Sequence, residues 1–367
     1  MRKSAAFLLL LLCAACRQQP PAQSTTVKYG VYVQSGPMDS ILLKDYAPRT
    51  SLVVPQTAVE KARFPVIDVH SHSGMNNIKT PEDVKAWLET MDETGVETSL
   101  VFTDSTGAEF DRQAALFKPY GNRFVLYCGL DTSNIDAPDY PERAAREVER
   151  CYRQGARGVG ELTDKGWGLD NAMAALKPPQ NPLPRDRRLR ADDPRLDKFY
   201  EKCAALKLPL NMHIADHPSC WQPLGPNQER TPDFQHFNMA GKDVPSYEEL
   251  LAMRDRMLAR HPRTTFIACH LGNQGNDLAA LAKVLDRHPN LYVDISARDY
   301  EIGRQPRSAA RFLAQYKDRV LFGTDMGREK KMYQGWWRLL ETADEFIPGR
   351  LWWRQYGLEL PAPVLEA

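Results

Sequence analysis

From Phe64 almost to its end the chain alternates short apolar runs with longer amphipathic ones, and the alternation repeats eight times. The short runs are rich in β-branched residues and read as strands: Pro65 to Val69, Thr98 to Phe102, Arg123 to Leu130, Gly158 to Leu162, Leu208 to Ile214, Thr265 to Cys269, Leu291 to Ile295 and Val320 to Gly323. Between them apolar residues recur at helical spacing. Leu250, Met253, Met257 and Leu258 share one face of the fifth helix, and Leu278, Leu281, Ala282 and Leu285 share one face of the sixth. Thr80-Pro81-Glu82 opens the first helix with a cap and a proline, and Gly95 follows its last turn. Eight such units in about 300 residues predict an α/β fold of the TIM (β/α)8 type. A doubly wound open sheet is the alternative. It would place a glycine-rich phosphate loop after an early strand, and the sequence has none there.

In a barrel of this kind functional groups gather where strands end and loops begin. His70 and His72 end the first strand, and side chains two apart on a strand face the same way, so the pair can chelate one ion. Glu161 stands near the end of strand four, His213 ends strand five, His270 ends strand six, and Asp325 follows strand eight in Phe322-Gly-Thr-Asp325. Six side chains of metal-binding type thus converge on one rim. Imidazole and carboxylate donors suit zinc, while manganese, iron and nickel share the same donors. Asp68, on the opposite strand face, reads as structural or as an orienter of a ligand histidine, and Asp294 carries the same ambiguity. His217 reads as a pocket or turn residue before Pro218, with a ligand role as the alternative. His236, His261 and His288 read as peripheral, the last two at helix ends.

Five segments carry a resemblance: Ile67-Asp-Val-His-Ser-His72, the His213 strand, Ile267-Ala-Cys-His-Leu-Gly272, Tyr292-Val-Asp-Ile-Ser296 and Leu321-Phe-Gly-Thr-Asp325. Together they resemble the amidohydrolase superfamily from Phe64 to about Gly327, and specifically its amidohydrolase-related branch. That branch also holds decarboxylases similar to aminocarboxymuconate semialdehyde decarboxylase. The resemblance implies that His70, His72, His213 and Asp325 hold a divalent ion. It makes His270 either a ligand of a second ion or a catalytic group beside the first. Glu161 corresponds to the strand-four carboxylate that bridges two ions in some branches and is lacking in one-metal relatives. The implied activity is hydrolysis of an ester, lactone or amide by metal-activated water, with Asp325 accepting the water proton and His270 stabilising charge on the substrate oxygen. Metal-dependent decarboxylation of an aromatic or unsaturated acid is one alternative, and a non-catalytic envelope binding protein is another.

Two long connections, Thr163 to Pro194 and Asp216 to Pro245, exceed ordinary loop lengths and are expected to cover the site. Lys165, Trp167 and Trp221 within them, with Arg298 and Arg328 on neighbouring strand ends, are candidates for binding a small, carboxylate-bearing substrate. Each has a plain packing role as its competitor.

At the other end of the chain, Arg2-Lys3 precedes an apolar run to Leu12 that is too short for an ordinary membrane span, followed by Cys13-Ala-Ala-Cys16. Residues 1–15 therefore read as a signal peptide, 16–26 as a polar tether, 27–63 as an extension with a strand pair, and 64–367 as the barrel. Cys16 resembles the lipidated cysteine of a bacterial lipoprotein, which places the protein in the cell envelope, anchored by lipid and facing the periplasm or exterior. Leucine is usual where Cys13 stands. A formal net charge of +1 gives no nucleic-acid surface, and 43% hydrophobic residues support a full core. The five cysteines outside the signal show no paired spacing, and Cys128 and Cys269, within strands, read as buried thiols. The chain ends at Ala367, where relatives usually continue into another helix, an ending that would expose apolar surface and favour a homo-oligomer.

Overall fold

A computed structural model describes residues 25–28, 31–34, 36–47, 49–170, 183–225, 227–230, 235–349 and 353–367. The chain divides into two compact units, the first ending at Val53 and the second running from Val54 to Ala367. In the first, Thr25–Lys28 and Val31–Gln34 form an antiparallel pair, with Thr25 opposite Gln34. The proposed signal peptide and Cys16 lie outside the described residues.

The second unit is the expected barrel. Its described strands are β1 (Val66–His72), β2 (Val96–Phe102), β3 (Phe124–Cys128), β4 (Gly158–Thr163), β5 (Leu210–His213), β6 (Phe266–Ala268), β7 (Leu291–Asp294) and β8 (Val320–Leu321). All pair in parallel, each with its neighbour in sequence. The last strand returns to the first: Val69 N–H donates to Phe322 O at 2.9 Å, and Asp325 N–H donates to His70 O at 2.8 Å. This closure sets His70 and Asp325 side by side. It also requires Gly323, because a Cβ there would lie 2.8 Å from the Cβ of His70.

Helices α1 (Pro81–Thr94), α2 (Gly107–Phe117), α3 (Tyr140–Arg153), α4 (Asp197–Leu206), α5 (Tyr247–Arg260), α6 (Leu278–Arg287), α7 (Pro306–Gln315) and α8 (Lys330–Glu341) accompany the strands. Local chemistry fixes their ends. Thr80 caps α1 in a reciprocal box with Asp83, and Gly95 closes it at φ 88°. The apolar stripes read from the sequence are the buried ones, including Leu250, Met253, Met257 and Leu258 on α5. On α1, Val84, Trp87 and Met91 are fully buried, each contributing roughly 1.5–3 kcal/mol of burial. The Trp337 indole of α8 donates to Thr94 O at 3.0 Å and ties the last helix to the first. Cys128, Cys151, Cys203, Cys220 and Cys269 are buried free thiols. Among the described residues no helix is long and apolar enough to cross a membrane.

Candidate metal centre

The barrel brings all six predicted side chains to the C-terminal end of its strands. Asp325 Oδ1 lies 3.3 Å from His70 Nε2 and 3.3 Å from His72 Nε2. Glu161 lies across from them, with Oε1 3.8 Å from His70 Nε2 and Oε2 3.7 Å from His72 Nε2. The same carboxylate reaches the other two imidazoles, at 2.7 Å from His213 Nδ1 and 3.3 Å from His270 Nε2. Two ligand groups therefore share Glu161: His70 and His72 on one side, His213 and His270 on the other. His70, His270 and Asp325 make a third, overlapping group.

What stands behind each ring decides which nitrogen faces the centre. His70 Nδ1–H donates to Asp294 Oδ2 at 2.9 Å, and His72 Nδ1–H donates to Asp104 Oδ2 at 3.0 Å. His270 Nδ1 lies 2.8 Å from the carbonyl of Ser296, which can only accept, so that nitrogen carries the hydrogen. All three rings thus turn Nε2 inward. Among the described residues, the Nε2 atoms of His70 and His72 are buried without a hydrogen-bond partner. Buried nitrogens in that state, converging on two carboxylates, fit a divalent cation that takes the place of their protons. His213 is turned the other way, with Nδ1 toward Glu161 and Nε2 3.3 Å from Asp216 Oδ1, whose other oxygen lies 3.1 Å from Lys165 Nζ. His70, His72 and His270 therefore each have an oxygen behind them that fixes tautomer and orientation, as metal-bound imidazoles require, whereas His213 meets a carboxylate at both nitrogens.

Charge agrees with that reading. Asp104, Glu161, Asp216, Asp294 and Asp325 bring five carboxylates to the four rings, against the permanent cations Lys165 and Arg298. Burial alone would raise Glu161 and Asp325, yet the surrounding imidazoles hold both well below the usual carboxylate range. Burial opposes protonation of His70 and His72, but Asp294 and Asp104 outweigh it and raise both, His72 to about 10. The cluster thus attracts positive charge. His270 differs: burial, His213 and Arg298 push it down to about 4, which leaves it neutral.

Backbone geometry marks the same place. His270, Asp325, Asp104 and Lys165 all adopt positive φ, at 60°, 69°, 48° and 45°. Such conformations cost non-glycine residues about 1–3 kcal/mol each and persist where surrounding contacts dictate them. For His270 those contacts include Asp294 Oδ1, which accepts its N–H at 2.8 Å. Strand β6 ends at Ala268, earlier than the apolar run suggests, because the chain turns through this left-handed corner.

Asp68 is fully buried and accepts from the backbone N–H groups of His70 and Thr324 and from the Thr324 and Tyr333 hydroxyls, a structural role. Asp294 resolves as the partner of His70. Asp104 and Asp216 were not anticipated. The available signal was position, since Asp104 follows β2 by two residues and Asp216 follows His213 by three. Lys165 is paired with Asp216, and Arg298 is buried with its Nε 3.6 Å from Glu301. Trp167 packs with Met239 beneath the Arg188 guanidinium, and the Trp221 indole donates to Pro245 O. Arg328 donates to Asn76 O in the loop after β1. Arg188 ties the two long connections together through Gly166 O and Asp243 O.

The sequence matches the family described as amidohydrolase over residues 67–346. No curated protein matches it. Similar solved structures include an uncharacterised TIM-barrel protein, Bb4693, from Bordetella bronchiseptica, with 20% identity, 74% of this chain and 89% of that chain covered and a TM-score of 0.46. A 2,6-dihydroxybenzoate decarboxylase from Rhizobium is 18% identical over 75% of this chain and 91% of its own, with a TM-score of 0.45. A 5-carboxyvanillate decarboxylase from Novosphingobium aromaticivorans, complexed with manganese and 4-hydroxy-3-methoxy-5-nitrobenzoic acid, is 14% identical over 75% of this chain and 89% of its own, with a TM-score of 0.44.

Proposed function

The chain belongs to the amidohydrolase family, and from that premise we propose that its metal-dependent chemistry is hydrolysis of an ester, lactone or amide bond in a small substrate. The observation that carries the reading is Glu161, shared by one ligand group with His70 and His72 and by another with His213 and His270. That arrangement suits two divalent cations with a carboxylate between them, and imidazole with carboxylate donors favours zinc, with manganese, iron and nickel sharing the preference in part. When bound, such an ion acidifies water and polarises a carbonyl.

The chain's own residues supply the rest. Asp325, held ionised, accepts the proton of the attacking water and returns it to the leaving group. His270 would help to hold an ion through Nε2, because its Nδ1 hydrogen is committed to Ser296 and its Nε2 carries none. Arg298, buried and coupled to Asp325, places a positive charge near the developing charge on the substrate oxygen. Lys165 acts through Asp216 on the orientation of His213.

Decarboxylation is the second reading, and one contact favours it. Glu161 Oε1 at 2.7 Å from His213 Nδ1 forms a hydrogen-bonded pair, which would leave a single ion to His70, His72 and Asp325. Metal analysis of the wild type and Glu161→Gln, with a screen of esters, lactones, amides and aryl acids, separates the two. Two ions per chain, loss of one in E161Q and turnover of an acyl substrate support hydrolysis. One ion, unaffected by E161Q, with release of carbon dioxide from an aryl acid overturns it.

For location, residues 1–26 support an exported lipoprotein anchored through Cys16, with the barrel as its catalytic domain. Mass spectrometry of the N-terminal peptide from isolated membranes tests this, and an unprocessed Met1 terminus would refute it.

A further inference from the structure

We propose that Asp104 is a positioning residue that sets the separation of His72 and Glu161 by placing one carboxylate oxygen behind each. The proposal rests on the metal-centre reading, holds for one ion or two, and is independent of whether the chemistry is hydrolysis or decarboxylation.

His72 ends β1 and Glu161 stands in β4, with β2 and β3 between them in the barrel. Their side chains approach only to 3.7 Å, beyond hydrogen-bonding distance, so neither holds the other. Asp104 spans the two from the loop after β2. Its Oδ2 accepts from His72 Nδ1–H at 3.0 Å, and its Oδ1 accepts from the Glu161 backbone N–H at 3.2 Å. Both oxygens of one rigid group are thus committed, one to a ligand ring and the other to the main chain of a ligand carboxylate. Asp294 repeats the pattern with the His70 ring and the His270 backbone N–H. Each acid therefore takes the ring N–H of a β1 histidine and the backbone N–H of a ligand residue from elsewhere in the barrel, and the pair cross-braces the centre.

The corner that carries Asp104 is anchored away from the ligands. Its φ is 48°, and its backbone packs so closely on Gly129 that a Cβ there would lie 3.0 Å from the Asp104 carbonyl carbon and from Ser105 N. Gly129 N–H donates to Ser105 O at 2.8 Å, while the Thr103 N–H and hydroxyl donate to Tyr127 O at 3.1 and 2.9 Å. These contacts tie the loop to β3 and to the residue that follows it. The Asp104 side chain itself is 46% exposed, against 7% for that of His72. Its contribution is therefore the placing of two acceptors and not the filling of a core.

The test is competition for zinc against a coloured chelator, together with the visible spectrum at saturating cobalt, in the wild type, Asp104→Asn, Asp104→Gly and Gly129→Ala. Asparagine offers one oxygen where two are used, so either His72 Nδ1–H or Glu161 N–H must face an amide NH2. D104N and D104G should each weaken zinc by about 10- to 100-fold and shift the cobalt bands, with D104N within about threefold of D104G. Both residues suit a positive φ, so the metal-free proteins should unfold in urea close to the wild-type midpoint. G129A, which moves the Asp104 backbone and leaves its carboxylate in place, should also weaken zinc and shift the bands. A D104N protein with wild-type affinity and spectrum would overturn the proposal, since a single acceptor would then suffice. Loss of metal-free stability in step with loss of zinc would make Asp104 a structural element and also overturn it. If neither Asp104 variant folds, G129A decides, and its unchanged affinity and spectrum would overturn the proposal. A wild type that binds neither zinc nor cobalt would refute the metal-centre reading itself, and the proposal with it, whereas a wild type that binds both beside indifferent variants would refute the proposal alone.

Discussion

Replacing Asp294 by asparagine probes the link between the fold and the metal centre at one atom. Asp294 Oδ1 accepts from the N–H of His270 at 2.8 Å, the N–H of Ser296 at 3.2 Å and the Ser296 hydroxyl at 2.5 Å, while Oδ2 accepts from His70 Nδ1 at 2.9 Å. An asparagine oxygen in the Oδ1 position keeps the first three bonds. Its amide NH2 then faces His70 and cannot accept. His70 Nδ1–H then keeps only the Ser296 hydroxyl, at 3.0 Å, as an acceptor, which favours a hydrogen on Nε2, the atom that would face a bound cation. Loss of such a partner costs metal affinity by ~10- to 100-fold, or about 1.4–2.8 kcal/mol. The metal-free fold should change by less than about 3 kcal/mol, since one charged hydrogen bond is lost while a buried charge is removed. Competition for zinc against a coloured chelator measures the first quantity and urea unfolding of metal-free protein the second. A D294N protein that holds zinc as tightly as the wild type would refute the orienting role. A large loss of metal-free stability with unchanged affinity would reduce Asp294 to a packing element.

Two further outcomes test separate parts of the structure. Because His217 is held neutral, with its folded value near 3 against 6.5 unfolded, the unfolded chain binds more protons between those values, and its contribution to stability is lost as pH falls below about 6.5. Urea midpoints at pH 6.5 and 4.5 should show the wild type losing about 2–3 kcal/mol more than H217Q; parallel losses would contradict the burial of a neutral ring. Gly323→Ala would drive a methyl to 2.8 Å from the Cβ of His70 at the barrel closure, and it should cost about 1–3 kcal/mol in a denaturant titration with weakened metal retention. A silent G323A would mean that β8 and β1 do not meet as described.

The barrel was legible because enclosed parallel strands and amphipathic helices leave different periods in the sequence, and Thr80, Pro81 and Gly95 punctuate them by local chemistry alone. The gathering of the six side chains was legible because strand ends in a barrel share one rim, so position along the chain becomes position in space. The oxygens behind the rings were harder to read. Asp104 and Asp216 sit in loops whose positive φ or reversal of direction is set by contacts remote in sequence, and nothing local distinguishes them from solvated acids. The tautomer of His270 was illegible for the same reason: it depends on the Ser296 carbonyl, 26 residues away. Lys165 was noticed as a charge in a loop, but its pairing with Asp216 emerges only once β4 and β5 are adjacent.

The most direct test of the whole account is elemental analysis of the purified protein beside His72→Ala. The wild type should carry at least one tightly held divalent ion per chain, and removal of the His72 imidazole should empty or severely weaken that site while the barrel still unfolds cooperatively. A wild type without any such ion, or an H72A protein that retains its full complement, would contradict the claim that these histidines and carboxylates are gathered around a cation.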